Sequence, residues 1–352
     1  MRIAIVTDAW KPQINGVVRT LTTLERQLET RGHRVKVIHP GLFQTIPMPS
    51  YPEIRLAVVA PDFKLRRLLW EFEPDRIHIA TEGPLGIAAR RYCVNKGLQF
   101  TTSFHTRFPE YVKARVPVLP LWPGYAMMRW FHSAATRTMV STPALQAELA
   151  GRGFQNLVVW TRGVDTDHFV PGDKDFLPDQ HPIFMYLGRV AVEKNIEDFL
   201  RLDLPGTKYV VGDGPAREEL QSRYPETRFT GAKVGAELVR HLGAADCLVF
   251  PSRTDTLGLV VMEAMACGVP VAAYPVAGPA QLVEHGQTGY LSEDLREAAL
   301  AALEIPSEQC RTFAEQCSVT RSVDEFVNYL VPAETAYETS ILDMLKIDRS
   351  ER

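Results

Sequence analysis

The sequence predicts an α/β protein of two doubly wound, Rossmann-like domains facing each other across a cleft. Three observations carry that expectation. Short β-branched or apolar runs alternate with longer stretches of helical spacing. The alternation breaks at Pro171-Gly-Asp-Lys-Asp-Phe-Leu-Pro178, which reads as linker, and restarts beyond it. Polar clusters stand directly after several of the strand-like runs, where open parallel sheets gather their ligands.

Taken in order, Arg2-Ile-Ala-Ile-Val opens the first strand, expected over 2–7, and Asn15-Gly16 marks the turn into a long helix over 16–31. Further strands are expected at 34–39, 76–80, 99–103, 138–141 and 157–160, with helices at 62–72, 83–96, 122–135 and 143–151. Phe63-Lys-Leu-Arg-Arg-Leu-Leu-Trp70 has apolar residues at helical spacing and reads as a packed helix with a solvated basic face. After the linker, strands at 183–187, 208–211, 247–250 and 270–274 alternate with helices at 195–201, 215–222, 235–244 and 258–267. The last of these helices would pack through Val260, Val261, Met265 and Ala266. This divides the chain into domains 1–168 and 169–318, followed by a helical tail over 319–352.

A chain of 352 residues with 45% hydrophobic content can bury more than one core. Its net charge of −3 conceals an asymmetry: residues 1–165 hold 22 Lys and Arg against 12 Asp and Glu, whereas the remainder is strongly acidic. A basic half would be drawn to an anionic surface, either nucleic acid or acidic lipid. No nucleic-acid-reading motif accompanies it, so nucleic acid is not expected as a partner. The five cysteines show no paired metal-ligand spacing, which fits a reducing compartment and argues against a zinc site. With no leader-like segment and no run of about 18 apolar residues, a cytoplasmic protein is expected.

Arg253-Thr-Asp-Thr-Leu-Gly-Leu-Val-Val-Met-Glu263 sets two acids, Asp255 and Glu263, around the start of a helix. Gly258 allows close backbone approach, and the amides of Thr256, Leu257, Gly258 and Leu259 would lie at a helix N-terminus, a natural seat for phosphate. Arg189 and Lys194, in a loop after Gly188 that enters a helix, supply a forked donor and a point charge suited to pyrophosphate; as isolated residues they would read equally as solvated surface pairs. His105 follows the fourth strand, and Asp8 the first, where it could equally cap a helix turn. Gly212 and Gly214 read as packing glycines between strand and helix.

These segments resemble the family 4 glycosyltransferases, which have the GT-B fold. The likeness runs through Thr7-Asp-Ala-Trp-Lys-Pro-Gln-Ile-Asn-Gly16, Ser103-Phe-His-Thr106, Arg162-Gly-Val-Asp165, Leu187-Gly-Arg-Val-Ala-Val-Glu-Lys-Asn195, Val211-Gly-Asp-Gly-Pro215 and the Asp255 to Glu263 block. One departure is visible: the first acid, usually Glu in the family, is Asp255. The resemblance implies a retaining transfer from a nucleotide-sugar donor, by front-face attack with a phosphate oxygen taking the acceptor's proton and with no metal or other cofactor. It assigns Arg189 and Lys194 to the diphosphate, His105 and Asp255 to the transferred sugar, and Glu263 to the ribose. It also closes the loop of Asn15 and Gly16 over the donor, makes Lys233 a weak base contact, and docks the tail on the first domain.

Within that family, Ala80-Thr-Glu-Gly-Pro-Leu-Gly and Ser103-Phe-His-Thr-Arg-Phe-Pro-Glu-Tyr look most like bacterial glycosyl-diacylglycerol synthases. Glucose or glucuronate from a uridine diphosphate donor and a diacylglycerol acceptor follow as expectations, with a GDP-mannose-dependent mannosyltransferase as the alternative. A nucleotide-sugar epimerase or hydrolase on the same scaffold is a second alternative, distinguished by conversion of donor alone. The mixture of Lys113, Arg115, Trp122, Arg129, Trp130 and Phe131 suits peripheral contact with an anionic membrane at its inner face, or else a core helix with Trp130 and Phe131 buried.

Overall fold

The computed structural model describes residues 1–334 except 14, 49–50, 59–61 and 117. It resolves into two compact units. The first holds Met1–His105, Trp122–Trp160 and the chain from Val323; the second holds Thr106–Leu121 and Thr161–Ser322.

The first unit begins β1 (Arg2–Val6), α1 (Gly16–Thr30), β2 (Arg34–Ile38), β3 (Thr45–Met48), β4 (Tyr51–Ala57), α2 (Phe63–Phe72), β5 (Arg76–Ile79), α3 (Pro84–Lys96) and β6 (Thr101–Ser103). The chain then enters the second unit for α4 (Phe108–Arg115) and returns for α5 (Trp122–His132), β7 (Arg137–Val140), α6 (Pro143–Gly151) and β8 (Leu157–Val159). Six strands form a sheet in the order β2-β1-β5-β6-β7-β8, parallel throughout. Ile3, Ala4, Ile5 and Val6 are all fully buried because helices cover both faces of a parallel sheet. α1 starts where the Asn15 side chain accepts from Val18 N at 3.0 Å, and it buries Val18, Leu21, Leu24 and Leu28 on one stripe. On one face of the sheet, Leu65, Leu69, Leu85, Ala89 and Phe131 from α2, α3 and α5 pack on Ala4, Val6, Ile77 and Ile79.

The second unit continues with β9 (Ile183–Leu187), α7 (Ile196–Leu200), β10 (Thr207–Val211), α8 (Arg217–Arg223), β11 (Arg228–Gly231), α9 (Gly235–Ala244) and β12 (Cys247–Phe250). It ends with α10 (Leu259–Ala266), β13 (Val271–Ala273), β14 (Gly289–Leu291), α11 (Leu295–Ala302), α12 (Ser307–Gln316) and the start of α13 (Val319–Tyr329). Its parallel sheet runs β11-β10-β9-β12-β13-β14. Alternation along β9 feeds two cores, with Ile183, Met185 and Leu187 on one face and Phe184 and Tyr186 on the other.

The division of the chain differs from the expected boundary at 168/169. It falls between Trp160 and Thr161, because Val164, Phe169 and Leu177 already belong to the core of the second unit. The stretch read as a linker is packed: Lys174 donates to the Ala245 carbonyl, Phe176 meets the His241 ring at 5.1 Å, and the Cα of Gly243 lies 3.2 Å from where a Gly172 side chain would begin. From Val323 onward α13 belongs to the first unit. Phe326 stacks against Trp160 and His78, Arg31 pairs with Asp324 at 2.6 Å, and Ala333 N donates to Asp75 O at 2.9 Å. Residues 335–352 of the expected tail lie outside the described residues. Among the described residues no helix is long and apolar enough to cross a membrane.

Candidate active site

Strand order locates the site in each sheet. In the second unit the chain leaves β9 for β10 on one side and later returns to β12 on the other. The carboxyl ends of β9 and β12 therefore flank a topological switch point, where open α/β sheets bind ligands. After β9 the chain runs through Gly188 and Arg189 to a tight turn over Val192–Lys194, and Asn195, with φ of 53°, turns it into α7. After β12 it runs through Thr254 and Asp255 to Gly258, whose φ of 86° opens α10 and whose missing side chain leaves room for Phe250 Cζ at 2.9 Å. Thr254 Oγ1 donates to Glu193 O at 2.9 Å and ties the two loops together.

There Lys194 Nζ is paired with Asp255 Oδ1. The same ammonium donates to the Tyr111 hydroxyl at 3.2 Å, and that hydroxyl lies 3.5 Å from Asp255 Oδ1. Side-chain exposures of 18% for Lys194 and 16% for Asp255 place the pair largely out of water. Burial by itself would lower the Lys194 pKa, but the Asp255 carboxylate together with the neighbouring Tyr111 and Tyr186 outweighs it, and the ammonium is held above its ordinary value. Lys194 is therefore a fixed positive charge across the physiological range. Burial raises the Tyr111 phenol, with the Lys194 charge opposing, so Tyr111 stays neutral there.

The glycine-rich loops pair backbone to backbone. Gly188 N donates to Val211 O at 3.1 Å and Val190 N to Asp213 O at 3.0 Å. A side chain on Gly212 would begin 1.8 Å from Gly188 O, and one on Gly214 2.3 Å from Val190 O, which agrees with their reading as packing residues. Arg189 is half-buried in this loop, and its carbonyl accepts from Tyr186 OH at 2.6 Å. Leu257 is buried in the core and Leu259 packs against it, so these two can offer a ligand only their backbone N–H groups. Thr256 is half-buried before them, and Glu263 is buried on α10. The structure thus brings Lys194 and Asp255 together, with Gly188 and Arg189 on the preceding loop and Gly258 and Glu263 on the following helix. Lys233 follows β11, two strands from β9 in the same sheet, and pairs with Glu237 at 2.6 Å.

In the first unit the switch point lies between β1 and β5, and Asp8 occupies it in a structural role. Its carboxylate accepts from Leu85 N at 2.9 Å, Gly86 N at 3.3 Å and Thr81 Oγ1 at 2.9 Å. Asp8 thus caps α3 from outside, rather than the helix that follows it. Desolvation raises its pKa, and the bonds from Leu85, Thr81 and Gly86 only partly offset this. A raised folded pKa means that Asp8 contributes stability below its unfolded value of 3.8, and that this contribution is lost as pH rises through the folded value. In Asp8→Asn this component is absent. The Tm difference between wild type and variant is expected to shrink steadily over that window, and parallel Tm profiles would contradict the raised value.

Asn15 and Gly16 open α1 as expected, Asn15 as its cap. His105 closes the first stretch of the first unit after β6, half-buried and edge-on to Trp160 at 6.2 Å. The proposed membrane residues divide. Lys113, which is exposed, and Arg115 lie on α4 in the second unit, whereas Trp122, Arg129, Trp130 and Phe131 lie on α5 in the first. Phe131 is fully buried against α3, which corrects its reading as a membrane contact: exposing a buried Phe side chain forfeits about 1.5–3 kcal/mol. Trp122 is 73% exposed and Trp130 49%. Tyr111 escaped the sequence reading, because it sits on a segment of the first half of the chain that packs with the second unit.

Comparison with known proteins agrees with the fold. A model described as Glycosyltransferase Family 4 matches residues 14–168, and one described as Glycosyl transferases group 1 matches residues 181–305. The chain is 30% identical over 315 residues to a GDP-mannose-dependent alpha-mannosyltransferase of Mycobacterium tuberculosis, covering 83% of each chain. It is 24% identical to the alpha-monoglucosyldiacylglycerol synthase of Streptococcus pneumoniae, over 86% of this chain and 78% of that one. The crystal structure of Anabaena Alr3699/HepE in complex with UDP-glucose shares its fold, with a TM-score of 0.68, 18% identity and coverage of 93% of this chain and 98% of that chain.

Proposed function

We infer, from the fact that this chain belongs to the family 4 glycosyltransferases of GT-B fold, that it moves a hexose from a nucleotide-diphosphate sugar to a lipid acceptor. The observation that carries this reading is the Lys194–Asp255 pair at the switch point between β9 and β12. Breaking the anomeric bond sends negative charge onto a departing diphosphate. A cation kept protonated by its surroundings, Arg189 earlier on the same loop and the amides that open α10 are the groups that would neutralise that charge. Asp255 would turn toward hydroxyls of the sugar as the diphosphate takes over Lys194, with Glu263 on the ribose and His105 orienting the sugar. The reaction we propose is retaining and needs no metal or other cofactor: the acceptor oxygen attacks from the face that the diphosphate leaves, and a phosphate oxygen takes its proton.

GDP-mannose is the donor we propose, because the mannosyltransferase of M. tuberculosis combines 30% identity with coverage of 83% of both chains. A UDP-glucose or UDP-glucuronate donor with diacylglycerol as acceptor is the second reading, of which the likeness to the S. pneumoniae synthase favours the glucosyl group and the diacylglycerol. A matrix of GDP-mannose, UDP-glucose and UDP-glucuronate against diacylglycerol and a soluble acceptor, with and without EDTA, tests both. Turnover with GDP-mannose and lipid, unaffected by EDTA, is the expected result. Conversion of donor without acceptor would favour an epimerase or hydrolase, and absence of GDP and UDP binding by calorimetry would overturn the reading.

A lipid acceptor calls for contact with a membrane at its inner face. The helices α3 and α5 fit that role: they carry Arg90, Arg91, Lys96 and Arg129 and no acidic residue. Ile87, Val94, Met127, Trp122 and Trp130 are exposed on them, and the Arg90 guanidinium lies 4.1 Å over the Trp130 ring. Basic residues beside an anionic leaflet contribute about 1 kcal/mol each. Replacing Trp122 and Trp130 together by Ala is expected to weaken binding to anionic vesicles about tenfold, since partial burial of two such side chains stabilises by at least about 1–2 kcal/mol. Unchanged partition in vesicle sedimentation would assign these helices to another role.

A further inference from the structure

We infer that Tyr111 is a specificity-determining residue of the donor site, reading the hydroxyl pattern of the hexose together with Asp255. The inference rests on the glycosyltransferase reading above and goes beyond it by adding a residue from an unexpected part of the chain. α4 lies in sequence between β6 and α5 of the first unit, yet it packs on the turn Val192–Lys194 of the second. This brings the Tyr111 hydroxyl within 3.2 Å of Lys194 Nζ and 3.5 Å of Asp255 Oδ1, with the ammonium also 5.6 Å from the ring centroid. Lys194 engages the same Asp255 oxygen, Oδ1. A ligand hydroxyl that bonds Asp255 Oδ1 would therefore settle beside Tyr111.

The chemistry of the three groups differs in a way that matters for a sugar. Lys194 only donates, Asp255 only accepts, and a phenol does both. A tyrosine here can thus satisfy a hydroxyl of one configuration and leave its epimer unpaired. Burial holds the phenol neutral, so this dual capacity persists over the working pH range. Sites built on such hydrogen bonds discriminate far more strongly than apolar pockets, because the wrong ligand strands a desolvated polar group. Two contacts hold the Asp255 loop in place. Thr254 ties it to Glu193, and Gly278 lets its backbone pass close, since a side chain there would begin 2.7 Å from Asp255 O.

Tyr111→Phe keeps the ring that fills the buried space and removes only the hydroxyl. Wild type and variant would be compared by kcat/KM on two pairs of epimeric donors, GDP-mannose with GDP-glucose and UDP-glucose with UDP-galactose, and by calorimetry with GDP and UDP alone. For the pair that the enzyme uses, the preference between epimers is expected to fall about tenfold or more, while affinity for the nucleotide changes less than about twofold. A second variant, Asp255→Glu, lengthens the neighbouring acid, and its effect on the same preference should be non-additive with Tyr111→Phe. A loss spread equally over both epimers, additivity, or unchanged kinetics would overturn the role of Tyr111 and leave the glycosyltransferase reading standing. A wild type that binds neither nucleotide would overturn both.

Discussion

Lys194→Ala is expected to lower kcat by about 10²–10³-fold, the loss that follows removal of one preorganised donor from a charge-stabilising site. The same substitution should also destabilise the fold. Lys194 and Asp255 are a largely dehydrated pair, and removing one partner strands the other; for pairs of this kind the loss is about 3 kcal/mol. Activity and stability can be separated by a double variant. In Lys194→Ala/Asp255→Asn the stranded charge is gone, so Tm should recover most of the loss while turnover stays low. Lys194→Arg keeps a charge but exchanges a compact ammonium for a planar fork, and should retain Tm better than activity. Chemical denaturation with steady-state kinetics on the four proteins checks these outcomes. Near-normal turnover in Lys194→Ala would remove the residue from the diphosphate seat and with it the reading of the switch point.

The sheets were legible in the sequence because a parallel strand covered on both faces is a continuous apolar run, as in Arg2-Ile-Ala-Ile-Val and Ile183-Phe-Met-Tyr-Leu187. The hairpin of β3 and β4 was not. Pro47 and Pro52 interrupt both of its strands, and prolines argue against strand wherever a ladder bond is needed. β11 and β14 were missed for another reason: each lies at an edge of its sheet, where half-exposed residues replace the apolar run. The Pro, Gly and Asp residues after Thr161 signalled a break in regular structure, but they could not show that Phe169 and Leu177 pin that stretch to the second core.

At the site the same division holds. Residues fixed by local geometry were readable: Gly258 opens α10, Asn15 caps α1, and Lys194 follows a strand end. What depends on contacts between distant segments was not. Asp8 has nothing in its own neighbourhood to say that Leu85 and Gly86, more than seventy residues on, will take its carboxylate. Trp130 and Phe131 are adjacent aromatics of one helix, yet a turn of about 100° between them sends one to the surface and the other into the core.

Gly212→Ala is expected to be the most damaging single-methyl change in the second unit. The added carbon would lie 1.8 Å from Gly188 O, about half an ordinary contact distance, and the neighbour is backbone that cannot rotate away. The two loops must part, which strains or breaks the bonds Gly188 N to Val211 O at 3.1 Å, Val190 N to Asp213 O at 3.0 Å and Gly212 N to Gly231 O at 3.0 Å. Overpacking together with these bonds should cost about 3–4 kcal/mol of stability. Activity should fall further than stability alone would require, because Gly188 leads directly into Arg189, and a displacement of about 1 Å at a positioned group costs about 10²-fold in rate. Gly151→Ala, at the end of α6 with nothing within 4 Å of the new carbon, is the control and should stay within about 0.5 kcal/mol of wild type. Thermal unfolding and kcat/KM on the two variants decide the matter. If Gly212→Ala behaves like Gly151→Ala, the loops after β9 and β10 do not run as paired backbones, and Arg189 has lost the support that would aim it at a phosphate.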